Sequence, residues 1–323
     1  MLRGRQMLIV HGQNAAFSFS YGAAALSALL LLGNGVDRLR AADLQTIRAD
    51  GARIRSLQVN KLEARPNDWL ASHPEPGQTF DQYRATNPNR PSSRLTTIYV
   101  QPIGTFSDAE NRVLDRARRL LSIFYQLPVK TLEPISFDVI PMTARRKHPS
   151  VGNDQLLTTY VLNDFLPQRR PRDAVAVLAL TTIDLWPGEG WNFVFGQGAL
   201  RERGGVYSLA RYGDPAIDSA SYQLALRRTL KVACHETGHM LGIAHCTAAE
   251  CGMNGSNSID ELDRNQLGFC PECEQKIWWA CGLDPRQRYA ALLNFARENE
   301  LSEEVRLWEA SHRKLPFGVP KNK

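Results

Sequence analysis

Cysteine is scarce in this chain, and nearly all of it sits in one place. Six cysteines in 323 residues are too few to staple a disulfide scaffold. Charge of one sign is also never concentrated. Lys plus Arg is 39 against 33 for Asp plus Glu, and the excess that gives a formal +6 is spread over Arg-containing stretches, which suits a soluble surface and not a nucleic-acid footprint. No internal repeat is visible. With 43% hydrophobic, 22% charged and 8% aromatic residues, wholesale disorder, collagen and a polytopic membrane protein are excluded as well. What is present is uneven: Cys246, Cys251, Cys270, Cys273 and Cys281 share one short span, and His235, His239 and His245 crowd into eleven positions. Metal is the first idea to test.

The N-terminus carries the one long uncharged run. From Met7 to Val36 no residue bears a fixed charge, and the richest part, Ala23 to Leu32, follows Arg3 and Arg5. Residues 1–36 therefore read as a signal, an anchor or an extension, and membrane contact is expected only through residues 7–36. Residues 37–93 alternate charges with Pro, Asn, Ser and Gly, the composition of a polar linker region, and a boundary is set near Ser93.

Beyond it the pattern turns periodic. Thr96 to Pro102 reads as a strand. Phe106-Ser-Asp-Ala-Glu110 opens a helix with a capping signal, and its apolar stripe continues through Val113, Ala117, Leu120, Leu121 and Phe124. Phe137 to Pro141 reads as a strand and Asp154 to Phe165 as a helix. The continuous run Ala174–Leu180 suits a central strand buried on both faces. Trp191 to Phe195 and Gly205 to Leu209 read as a hairpin near the sheet edge, and Arg145-Arg-Lys147 as a solvated turn. The alternation implies an α/β (α+β) domain with a mixed, mainly parallel twisted sheet. It spans residues 94–283, and 284–323 form a helical C-terminal tail.

From Asp218 a helix extends through Leu226, Leu230, Ala233, Thr237 and Leu241 on its buried face. On a neighbouring face lie His235 and His239, one turn and only ~40° apart, so two imidazoles can meet one ion. Gly242 has no Cβ and can end the helix in the left-handed conformation, which lets His245 return as a third ligand. Three imidazoles suit zinc and leave a fourth position open for water. Glu236, beside the first ligand, is placed to act as general base on that water, making metal-assisted hydrolysis of a peptide bond the economical reaction. The run matches the long HExxHxxGxxH motif of metzincin proteases.

Directly after His245 come Cys246 and Cys251, then, across 18 residues, Cys270 and Cys273. The spacing is that of a closed, structural four-thiolate zinc site, with two disulfides or four unrelated thiols as alternatives. Cys234 and Cys281 fall outside the pattern and read as small buried hydrophobes. Taken together, His235-Glu-xx-His-xx-Gly-xx-His-Cys, Cys251-x-Met253 and Cys270-xx-Cys273, with Asp184-Leu-Trp-Pro187 and Trp191-Asn-Phe-Val-Phe-Gly196 upstream, resemble the archaemetzincins, zinc metalloproteases of the metzincin clan. The resemblance implies a metzincin-like catalytic domain with a Cys-rich, zinc-stabilised C-terminal part. It also implies two zinc ions per chain, one catalytic and one structural, and Met253 as the methionine of the turn beneath the ligands. From the residues alone Met253 could equally be core filler.

The expectation is thus a zinc metallopeptidase acting on peptides or proteins, with Trp191, Phe193, Phe195 and Gly196 as a substrate-binding edge strand. Two other readings stand beside it: a catalytically silent, zinc-stabilised peptide-binding module, and a zinc hydrolase of a non-peptide acyl substrate. A monomer with no nucleic-acid partner is expected. The four-thiolate site favours the cytoplasm, and the apolar N-terminus favours a membrane-anchored or exported protein.

Overall fold

The chain is described here by a computed structural model, over residues 43–316. The apolar segment 7–36 lies outside the described residues. Among those described, no helix is long and apolar enough to cross a membrane.

Strands β1 (Thr97–Ile103), β2 (Val129–Thr131), β5 (Ala174–Thr181), β7 (Gly196–Gly198) and β8 (Gly204–Ser208) form the main sheet in the order β2-β1-β5-β8-β7. All its pairings are parallel except that of β7 with β8. A smaller sheet joins β3 (Arg145–Lys147), β4 (Asp154–Leu157) and β6 (Asp184–Trp186). The strand β5 is central, and its side chains alternate between two cores: Val175, Leu178 and Leu180 face one, Val177 and Ala179 the other. That two-sided burial is what an unbroken apolar run requires. The first core lies between the sheet and the helices Asp108–Tyr125 and Ser219–Met240, and the second lies beneath the smaller sheet.

The helix Asp108–Tyr125 starts where its signal put it, with Ser107 and Glu110 forming a capping box. Three other expectations differ. Phe137–Val139 is a single 3-10 turn, because the Ser136 hydroxyl accepts from the Asp138 N–H and pulls the chain into a turn. The stretch from Asp154 is strand β4 as far as Leu157 and becomes helical only at Thr158, since Gln155, Leu156 and Leu157 pair with β6. The partner of β8 is Gly196–Gly198, and Trp191 to Phe195 runs ahead of it as an irregular segment touching β6 only through Val194 and Leu185.

The region with linker composition is also more ordered than its residues suggest. It holds helices Leu44–Ile54 and Phe80–Ala85, and Ile47, Ile54, Phe80 and Tyr83 are buried. Gly51 lets the first of these helices lie against Pro271–Cys281, where a Cβ would come within 2.3 Å of the Gln275 side chain. Few apolar residues among many charges hide such a docking helix from a composition reading. The tail forms two helices, Pro285–Glu298 and Ser302–Lys314, packed on each other.

Candidate active site and metal centre

The helix Ser219–Met240 begins at Asp218, whose carboxylate accepts from the Ser221 N–H at 2.7 Å, and it buries Leu226, Leu230, Ala233, Thr237 and Leu241. It ends as its glycine predicts. Gly242 takes φ +86, the Ile243 N–H returns to the Gly238 carbonyl and the Gly242 N–H to the His239 carbonyl, a Schellman-type closure. The reversal brings His245 back over the last turn. The ring centres of His235, His239 and His245 then lie 4.5 to 5.2 Å apart, and one nitrogen from each lies within 4.8 Å of the others.

The outward nitrogens fix the tautomers. His235 Nδ1 donates to the Gly252 carbonyl at 2.9 Å and His239 Nδ1 to the Ile243 carbonyl at 2.7 Å. Each ring therefore turns an unprotonated Nε2 inward, and these two nitrogens stand 2.9 Å apart. Two inward nitrogens at that distance can be satisfied by a proton shared between the rings or by a cation bound to both. Burial, and then the charge of His245, pushes His235 down to about 3, so the ring is neutral at physiological pH, as a metal ligand must be. His245 Nδ1 instead meets the Glu75 carboxylate, at 2.8 and 3.0 Å.

Glu236 is buried, desolvation pushes its carboxyl up to about 8, and its Oε2 has no hydrogen-bond partner among the described residues. It lies against the edge strand: a Cβ on Gly196 would come 2.4 Å from Glu236 Oε1, and one on Gly198 would come 2.7 Å from His239 Cβ. The glycines of β7 thus admit the close approach of the site helix itself. Met253 sits under that helix, where a Cβ on Gly238 would meet its Sδ at 2.6 Å. Its carbonyl accepts from the Cys246 N–H at 2.8 Å.

The four sulfurs of Cys246, Cys251, Cys270 and Cys273 lie within 4.8 Å of one another, all buried. None is disulfide-bonded, and all four converge on one point rather than separating into two pairs. The backbone N–H groups of Met253 and Cys270 both point at Cys251 Sγ, at 3.4 and 3.2 Å. Hydrogen bonds from Cys251, Cys270 and Cys273 hold Cys246 far below the usual thiol range, while burial pushes Cys251, and the bond to Cys246 pushes Cys273, far above it, so one thiolate is held among its neighbouring thiols. Cys234 is fully buried and Cys281 half-buried, both apart from the cluster.

A cavity of about 880 Å³ opens over the three histidines and Glu236. Trp191, Phe193, Phe195 and Gly196 line it, though only Gly196 belongs to the edge strand. The lip is braced from below. Arg146 donates to the carbonyls of Trp191 and Asn192, Gln155 donates to Asn192 and to Asp184, and Arg211 forms a bidentate pair with Asp184 while stacking on Phe193. The reading of Arg145 to Lys147 as a solvated turn is corrected accordingly: it is strand β3, and Arg146 is one of these braces. Trp278 is buried and Trp279 packs under Arg90, whose guanidinium lies 3.7 Å from the ring centre. Sequence reasoning missed the opposite wall. Trp69, Glu75, Pro76 and Gly77 line the cavity too, and His73 stacks between Trp69 and Trp191 at 4.1 and 5.4 Å. A carboxylate 170 positions from the histidine it meets leaves no local pattern to read.

Comparison with known proteins bears on the same region. The profile of peptidase family M54 matches residues 168–278, which include all seven candidate ligands. Archaemetzincin-2 of Rattus norvegicus is 33% identical over 268 residues, covering 73% of this chain and 74% of the relative, and archaemetzincin-2 of Homo sapiens is 34% identical over 262 residues, covering 71% and 72%. The crystal structure of archaemetzincin from Methanopyrus kandleri aligns with a TM-score of 0.46 at 29% identity, over 58% of this chain and 96% of the other. With a third of its residues identical over most of both chains, this protein is a zinc-dependent metallopeptidase of the archaemetzincin family, peptidase family M54.

Proposed function

We propose that His235, His239 and His245 hold a catalytic zinc, that Glu236 is the general base for peptide hydrolysis, and that Cys246, Cys251, Cys270 and Cys273 hold a second, structural zinc. The observation that carries the reading is the inward convergence of unprotonated imidazole nitrogens beside a buried carboxylate oxygen with no partner. Zinc, when bound there, polarises the scissile carbonyl and lowers the pKa of water toward 7. Beside a bound dication the Glu236 carboxyl stays ionised despite its burial, so that its Oε2 can take the proton from the attacking water and later deliver it to the leaving amine nitrogen. The closed thiol cluster has four ligands and no wall on the cavity, the donor set of a structural site. Met253, seated under Gly238, supports the floor on which the two helical histidines rest.

The peptide would lie along β7. The Ser208 N–H bonds the Phe195 carbonyl and the Ala199 N–H the Gly204 carbonyl, so by strand alternation the amide groups of Gly196 and Gly198 face away from β8. An extended substrate can add there as a further strand, with its side chains against Trp191, Phe193 and Phe195. We take the substrate to be a peptide or protein, the working unit to be a monomer without nucleic acid, and membrane contact to be confined to residues 7–36. Four reduced thiols at the core of the site favour a reducing compartment. Metal analysis with peptide-library cleavage on the purified chain tests the reading. Two zinc ions per chain and cleavage within extended peptides are expected; hydrolysis at full rate with one zinc or none would refute it.

A further inference from the structure

The three candidate ligand histidines are not held alike. His235 and His239 project from a helix, and each donates its outer N–H to a backbone carbonyl. His245 lies in the irregular loop after the helix, with no such carbonyl, and its Nδ1 is clasped by both oxygens of Glu75. The carboxylate comes from a strap, residues 59–79, that crosses the loop from outside.

The strap is built to hold that carboxylate still. Upstream, the Lys61 N–H bonds the Ala248 carbonyl, the Glu250 N–H bonds the Val59 carbonyl, and the Trp69 N–H donates to both oxygens of Glu261. Downstream, the Gln78 side chain accepts from the Ala244 N–H and donates to the Gly242 carbonyl, gripping the residues just before His245. Between these anchors Glu75 stands in Pro74-Glu75-Pro76, where two fixed φ angles and the extended bias of a residue before proline stiffen the backbone. Gly77, at φ +69, then turns the chain so close to the loop that a Cβ would come 2.4 Å from Thr247 Oγ1.

We infer that Glu75 is a positioning residue for the third zinc ligand: it orients the His245 ring, fixes its tautomer with Nε2 inward, and strengthens that nitrogen as a donor. The inference rests on the zinc reading above. A carboxylate on the outer nitrogen of a ligating imidazole makes the inner one more basic, and removing such a partner costs typically about 10- to 100-fold in metal affinity or activity. Here it also supplies the order that a helix gives the other two rings.

The test is zinc affinity of the full chain, measured by competition with a chromophoric chelator, together with kcat and KM on one extended peptide. Wild type is compared with Glu75→Ala, Glu75→Gln and His245→Ala. Glu75→Ala is expected to weaken the histidine site by about 10- to 100-fold and to lower kcat with little change in KM. Glu75→Gln keeps an acceptor of the same size without its charge and should fall between the two. Wild-type zinc affinity and kcat in both Glu75 variants would overturn the inference, as would a lowered thermal midpoint with unchanged zinc affinity. If His245→Ala also binds zinc as wild type does, the assignment of the metal site itself fails, and the two failures are told apart.

Discussion

The two candidate ligand groups touch at consecutive residues, His245 and Cys246, and they are organised in opposite ways. The four sulfurs are buried together and braced chiefly from within their own loop and helix start. The three imidazoles are half-buried, open on a cavity, and each leans on a different neighbour: Gly252, Ile243 and Glu75. A closed set can be specified by short spacings in one stretch of chain, whereas an open one leaves space for substrate and so takes its rigidity from elsewhere. Local spacing brings the three histidines together, but the partner that holds His245 comes from far away in the chain.

The sharpest way to probe the open side is Glu236→Ala. Loss of the base should lower hydrolysis by about 10²- to 10⁴-fold, while metal analysis still finds both zinc ions; turnover near wild type would remove Glu236 from the mechanism. The closed side is tested by Cys270→Ser with Cys273→Ser. Because the Cys246 N–H is tied to the Met253 carbonyl, loosening the thiol cluster should disturb His245 next to it. A ligand misplaced by about 1 Å can cost on the order of 100-fold in rate, and weaker binding at the histidine site should accompany the loss. Full activity with a single zinc retained would show that the two groups are independent.

Gly196→Ala separates base placement from metal binding. Its Cβ would lie 2.4 Å from Glu236 Oε1, forcing the carboxylate aside, and a rate loss of about tenfold or more with unaltered zinc affinity is expected. An unchanged rate would mean that the carboxylate position is uncritical. The smallest effect belongs to the substrate: N-methylating one backbone amide facing β7 removes a hydrogen bond worth about 1 kcal/mol, roughly a fivefold rise in KM. Equal cleavage of methylated and plain peptides would rule out strand addition.

Much of the fold was legible because its signals are local. The capping box at Ser107, the apolar run of β5 and the left-handed Gly242 each act within a few residues. The histidine and cysteine groups were readable for the same reason, since their spacing encodes their convergence. What escaped was set by partners distant in sequence. Asp154 to Leu157 has a helical pattern but pairs with β3 and β6. Trp191 to Val194 alternates like a strand yet is pulled out of the sheet by Arg146 and Gln155. Glu75 and Trp69 lie in a stretch rich in proline and charge, where composition gives no hint that both face the cavity.

The strap has a consequence in time as well as in space. Lys61 pairs with Glu250 across 189 positions, so in synthesis from the N-terminus the first wall of the cavity waits for the last. At about 5–20 residues per second that interval is roughly 10–40 s. During it the nascent chain lacks both histidine site and roof, and it cannot attack its own unfolded segments or those of its neighbours. In refolding, where the whole chain is present from the start, closing the 189 positions between Lys61 and Glu250 should itself appear as a lag, with peptide cleavage returning after helix content has recovered. Activity that kept pace with helix content would show that the strap docks early.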